Sequence, residues 1–122
     1  MSITPEIKTT NTLTNSKEVF KPIQDGEVSI YACGVTVYDL CHLGHAMQAI
    51  IYDTIVRYLR YRNFQVNYVR NYTDVDDKII DRAKERGISP LELSNEMIKA
   101  CDDDLASVGV QPASSQPKVS DY

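Results

Sequence analysis

An α/β fold built on a strand, helix, strand unit is predicted by three features of the chain. Val28 to Cys33 alternates apolar with polar or small residues and runs into Gly34, the pattern of a strand entering a loop. Gln65 to Arg70, QVNYVR, repeats that pattern. Between them Met47, Ile50, Ile51, Ile55, Tyr58 and Leu59 recur at three- and four-residue steps, which makes one face of a helix from about Gly44 to Arg62 apolar.

The connection between the strands is long enough for a right-handed crossover, so they are expected as parallel neighbours in one sheet. Ligands of such sheets bind beyond the C-terminal ends of the strands, here Cys33 to His45 and Asn71 to Lys78. Asp76 and Asp77 follow at the expected start of another helix, where negative charge suits the helix dipole. Ser89-Pro-Leu-Glu92 is a capping box with proline at the first helical position. Leu93, Met97, Cys101, Leu105 and Val108 continue it as an apolar stripe, giving a helix from Pro90 to about Ser107 that stops at Gly109. The closing QPASSQPKVSDY is polar and rich in Pro and Ser, as in a loop or linker. One domain is expected over residues 1–110, with 111–122 as linker or truncated tail.

A chain of 122 residues suits one domain with a small core. Its 43% apolar and 25% charged residues exclude a disordered or fibrous class. No apolar run approaches the roughly 18 to 20 residues of a membrane span. MSITPEIKTTNTLTNSKEVF carries no secretion signal, so a cytoplasmic protein with no membrane partner is expected. Cys33, Cys41 and Cys101 are odd in number and share no spacing, which argues for free thiols or ligands over a disulfide framework. The net charge of −4 argues against a broad nucleic-acid surface, and Arg57, Arg60 and Arg62 read as the solvated side of their helix.

The most specific stretch is Cys33-Gly-Val-Thr-Val-Tyr-Asp-Leu-Cys-His-Leu-Gly-His45, at a strand end and leading into a helix N-terminus. Backbone N–H groups and the helix dipole favour a phosphate there. His42 and His45, with Gly44 allowing close approach, can donate hydrogen bonds to an oxyanion. The glycine pattern of a dinucleotide site and the Gly-Lys-Ser/Thr of a P-loop are both absent. Taken alone, such histidines are more often helix caps or packing groups, and a lone Cys33 is more often a packed small residue. Thr36, Thr73 and Asp74 serve equally well as turn formers.

His42-Leu-Gly-His45 matches the His-Ile-Gly-His signature of class I aminoacyl-tRNA synthetases. NTLTNSKEVFKPIQDGEVSIYACGVTVYDLCHLGHAMQ and YVRNYTDVDDKIIDRAKERG resemble cysteinyl-tRNA synthetases almost continuously from Asn11 to about Val110. The resemblance implies the N-terminal half of a class I Rossmann-like nucleotide-binding fold, which activates cysteine with ATP and transfers it to the 3′ end of tRNA-Cys. It gives His42 and His45 the catalytic role of stabilising the triphosphate as the cysteine carboxylate attacks the α-phosphorus, with Gly44 beside them at the ATP. It places Gly34, Thr36 and Thr73 around the ammonium and carboxylate of the amino acid.

Cys33 matches the first of the family's four zinc ligands. A thiolate-bound zinc with an open position accepts a substrate thiol in a way that serine's hydroxyl cannot match. The other ligands, a Cys, a His and a Glu, are not matched within the 122 residues, and neither are the Lys-Met-Ser-Lys-Ser loop and the anticodon domain. Three protein ligands being the usual minimum, no intrinsic zinc is expected. Cys41 and Cys101 match no ligand and read as structural. Locally, Leu43 replaces the signature Ile, and Ala46-Met47 stands where the family has a small residue and Arg.

The resemblance therefore predicts an incomplete portion of a cysteine–tRNA ligase, inactive alone. The alternatives are a short non-catalytic paralogue that binds nucleotide, aminoacyl-adenylate or a protein partner, and one half of a split enzyme. An open sheet edge and an uncovered apolar face further predict self-association or a complementary chain.

Overall fold

Two small sheets and three α-helices follow one another along residues 6–122, the part of the chain that the computed structural model describes. The reading of the first five residues, within the stretch searched for a leader, lies outside them. Strands β1 (Lys8–Asn11) and β2 (Ser16–Val19) form an antiparallel hairpin in the register Lys8↔Val19 to Asn11↔Ser16. Its turn closes on Asn15 at φ 50°, a left-handed conformation that Asn tolerates better than most side chains.

Strands β3 (Glu27–Ala32) and β4 (Gln65–Arg70) pair in parallel from Glu27↔Gln65 to Ala32↔Arg70, as the strand, helix, strand pattern requires. Val28 and Ala32 point inward from β3 and Tyr68 and Arg70 from β4, the period-two burial of a strand with one covered face. Helix α1 (Leu43–Tyr61) makes the crossover. Its buried positions are Ala49, Asp53, Val56 and Leu59. Of the stripe expected to face inward only Leu59 is buried, while Met47, Ile50, Ile51, Ile55 and Tyr58 are exposed. The helix is apolar on more than one side, and a two-stranded sheet covers one of them. Asp53 lies in the buried stripe because its carboxylate is satisfied there: it accepts from Arg57 Nε (2.7 Å) and the Gln111 N–H (3.3 Å). Arg57 also donates to the Gly109 carbonyl (2.8 Å), so it clamps α1 to the chain after the last helix instead of merely facing water.

Helix α2 (Asp77–Arg86) starts on Asp76, whose carboxylate accepts from the Lys78 N–H (2.9 Å), and stops at Gly87 in the left-handed region. Helix α3 (Pro90–Ser107) has the expected capping box: the Glu92 N–H donates to Ser89 Oγ (3.2 Å), and the Ser89 N–H to Glu92 Oε2 (3.0 Å). Leu93, Met97, Cys101 and Leu105 are buried as the periodicity predicts. Val108 is half exposed at the C-cap, and Val110, past the left-handed Gly109, enters the core in its place. The main core joins α1, α2 and α3 to the loop after β3 through Val37, Ala49, Ile79, Ala83, Leu93 and Tyr72. A smaller cluster of Ala32, Val56 and Tyr68 holds α1 on the sheet.

Residues 111–122 are mostly without regular structure, yet they lie against β4. The Ser114 N–H donates to the Tyr68 carbonyl (2.8 Å), the Arg70 N–H to that of Ser115 (3.1 Å), and the Tyr72 N–H to that of Pro117 (2.9 Å). Beside them Val69 and Tyr72 form parallel bridges with Ser115 and Lys118. Among the described residues, no helix is long and apolar enough to cross a membrane.

Candidate functional site

The loops that leave β3 and β4 run side by side and continue the parallel pairing past the strands. The Thr73 N–H donates to the Val35 carbonyl (3.0 Å) and the Val37 N–H to the Thr73 carbonyl (3.1 Å), with Thr36 bridged to Thr73 between them. Val37, 1% exposed, anchors this crossing in the core. Gly34, Thr36 and Thr73, three positions singled out in the sequence, are thereby brought together at the C-terminal end of the sheet.

Gly34 is there for want of a side chain. A Cβ at this position would lie 1.6 Å from the Asn71 carbonyl oxygen. The Gly34 N–H in turn donates to Asn71 Oδ1 (2.8 Å), and Asn71 is itself buried. Asn71 is the residue that sequence reasoning passed over. Its signal was position alone, as the first residue after β4. Cys33 is exposed at the same strand end, and its carbonyl accepts from Gln48 Nε2 (3.4 Å), which ties the strand end to α1.

At the start of α1 the two histidines are locked together. His42 is the N-cap, and its Nδ1 accepts from the Gly44 N–H (3.0 Å), while the His42 N–H donates to His45 Nδ1 (3.2 Å). The rings stack with centroids 3.8 Å apart and 23° between planes. A Cβ on Gly44 would stand 2.9 Å from His42 Cε1, so the glycine makes room for the capping ring. Burial, and secondarily the neighbouring His42, hold His45 below the ordinary histidine value, which favours its neutral form. An imidazole that accepts at Nδ1 carries its neutral-state proton on Nε2, so each ring retains one donor that the cap does not use.

No acidic residue stands in the first turn of α1 to repel an anion. The nearby Asp39 is engaged by Arg82 of α2 (3.6 Å), and Lys78 of the same helix lies 5.5 Å over the Tyr38 ring. The arrangement thus offers two imidazole donors and a helix N-terminus free of carboxylates, a setting suited to a polyanion. A resident metal is less well served. Among the described residues no three His, Cys, Asp or Glu side chains converge.

Residues 19–122 match the family of the tRNA synthetases class I (C) catalytic domain. The chain belongs to that family. Among its relatives is a cysteine–tRNA ligase of Syntrophotalea carbinolica, 56% identical over 108 residues, or 88% of this chain and 22% of the relative. The cysteine–tRNA ligase of Thermodesulfovibrio yellowstonii is 49% identical over 112 residues, covering 92% of this chain and 23% of its own. That of Enterococcus faecalis is 52% identical over 116 residues, 95% of this chain and 25% of its own. The chain therefore spans about a quarter of the length of these ligases. The His42-Leu-Gly-His45 stretch, which the sequence likens to the class I signature, forms the N-terminal cap of the crossover helix. The parallel β3–β4 pair with its crossover helix agrees with the Rossmann-like fold of a class I catalytic domain.

Proposed function

We propose that these residues supply the ATP-binding part of a cysteine–tRNA ligase, in which cysteine is activated by ATP and passed to the 3′ end of tRNA-Cys. The observation that carries this reading is the reciprocal capping of α1 by His42 and His45. Because both rings use Nδ1 for the helix, both Nε2–H groups remain for the phosphates, in a turn that holds no carboxylate. In the reaction the cysteine carboxylate attacks the α-phosphorus, and charge grows on the oxygens of the departing pyrophosphate. His42 and His45 donate to those oxygens, with Gly44 and the positive end of the α1 dipole alongside. Gly34, Thr36 and Thr73, joined at the neighbouring strand ends, hold the amino acid's ammonium and carboxylate.

Cys33 would contribute one thiolate to a zinc able to accept the substrate thiol, and the other ligands that such a site needs are not matched by the described residues. The same holds for the tRNA contacts, for which no residue here is assigned. The open stripe of Met47, Ile50, Ile51, Ile55 and Tyr58 is the surface that the rest of the ligase, a complementary chain or a second copy would cover. A cytoplasmic site of action accords with this role. The shared name of the relatives weighs against a dedicated non-catalytic paralogue.

The reading is tested by grafting this chain into the Syntrophotalea carbinolica ligase in place of the stretch it matches and measuring cysteine-dependent exchange of pyrophosphate into ATP. The graft is expected to exchange. Replacing both His42 and His45 by Ala within it should lower the rate by roughly 100-fold or more, as loss of developing-charge stabilisation does. Exchange that survives the double substitution would contradict the assignment.

A further inference from the structure

Cys41 and Cys101 are 60 positions apart in the chain, yet their sulfurs lie 2.6 Å from each other, both as free thiols. The sequence offered no reason to join them. Cys101 is on the buried stripe of α3, 2% exposed, and Cys41 is half-buried in the loop that precedes His42, packed on the same core. We propose that Cys41 and Cys101 form a reversible disulfide, a modification site driven by exchange with a low-molecular-weight disulfide.

The geometry supplies what such exchange needs. The sulfurs have only about half an ångström to close before they reach bonding distance. Their exposure is unequal in the useful sense: the solvent-reachable Cys41 can meet an external reagent, and the enclosed Cys101 can meet only Cys41. The close approach of the two sulfurs lowers Cys41 toward its thiolate against its partial burial, and raises Cys101, whose burial acts in the same direction. Asp102 and Asp104 oppose that ionisation and Arg70 supports it. A thiolate at the accessible position and a resolving thiol behind it is the arrangement of a redox-responsive pair.

In the first step the Cys41 thiolate attacks one sulfur of R–S–S–R. The external S–S bond breaks, a Cys41–S–S–R mixed disulfide forms, and RS⁻ leaves. In the second, Cys101 gives up its proton and its sulfur attacks Cys41 Sγ, expelling the other RS⁻, and the two leaving thiolates take up protons. Two protein thiols have lost two electrons, and one small disulfide has become two small thiols. The new bond tethers the residue immediately before the α1 N-cap to α3, so the oxidation state of the pair bears directly on where His42 sits.

The test equilibrates the 122-residue chain in buffers of reduced and oxidised glutathione, quenches by alkylation and maps the cysteine peptides by mass spectrometry. A 41–101 cross-linked peptide is expected as the dominant oxidised product of the folded chain. It should appear at a disulfide fraction at least roughly tenfold lower than in guanidinium, because only the fold brings the sulfurs together. In a Cys101→Ala variant, Cys41 should stop at the mixed disulfide with glutathione. Should that variant not fold, the map of the unsubstituted chain still decides. The proposal is overturned if Cys41 and Cys101 stay alkylatable while Cys33 reacts, or if the three cysteines pair without preference in the folded chain.

Discussion

His42 and His45 cap one helix through each other: the Gly44 N–H donates to His42 Nδ1, and the His42 N–H to His45 Nδ1, across rings stacked 3.8 Å apart. In the sequence a structural and a phosphate-binding role for these histidines looked like competitors. In the fold they use different nitrogens. Removing the cap alone should therefore cost what caps cost. His42→Ala is expected to destabilise the chain by about 1 kcal/mol in urea unfolding, whereas His42→Asn, a good N-cap, should leave stability within a few tenths. Equal losses for both variants would mean that the ring, not its acceptor, holds the helix start.

Acidification should loosen the same corner. Burial and the neighbouring ring keep His45 below the usual histidine value, so folding favours its neutral form. A base depressed in the folded state gives its full contribution above the unfolded pKa, about 6.5, and loses it as pH falls through the lower folded value. Protonation also removes the acceptor for the His42 N–H. Proton NMR of the ring should give a His45 midpoint below about 6.5. A midpoint at or above that value would contradict the packing described.

Gly34→Ala places a methyl group 1.6 Å from the Asn71 carbonyl oxygen, which the backbone can relieve only by parting the loops after β3 and β4. A loss of about 3 kcal/mol in denaturant unfolding is expected. Asn71→Ala leaves the Gly34 N–H without its 2.8 Å partner and should cost about 1 to 3 kcal/mol. A stable Gly34→Ala chain would show that the loops do not cross as described.

The segment after α3 is held by Asp74. Burial pushes this carboxyl up, but the Ser120 hydroxyl (2.5 Å) and N–H (3.0 Å), with Lys118 near, hold it below the ordinary carboxylate range. Its stabilising effect is present above the unfolded pKa and is lost as pH falls through the folded one. Ser120→Ala should speed hydrogen exchange of the Val119 N–H, which donates to the Tyr72 carbonyl (3.1 Å). Unchanged exchange there would mean that the backbone pairing holds the segment without the carboxylate.

How much of this was legible in the sequence followed how local each signal was. The β4 strand and α3 were readable to the residue, because a period-two run and a capping box with Pro90 are written in adjacent positions. The inward face of α1 was misread, because two of its sides are apolar and only the sheet decides between Val56 and Ile55. Gly34 and Thr73 stood out by position and resemblance, but the crossing that joins them rests on Asn71, whose role depends on a partner 37 residues away. The contact between Cys41 and Cys101 had no local signal at all.

The central claim, that His42 and His45 serve a phosphate as well as a helix, is tested most directly by ATP titration calorimetry on a His42→Ser, His45→Ala variant. Ser keeps an N-cap acceptor, and neither side chain reaches out with the Nε2–H donor that each imidazole offers. The variant is expected to fold like the parent by circular dichroism and to bind magnesium–ATP at least about tenfold more weakly, or about 1.4 kcal/mol. Equal ATP affinity in variant and parent, with the helix intact, would contradict the account and leave the two histidines as caps alone.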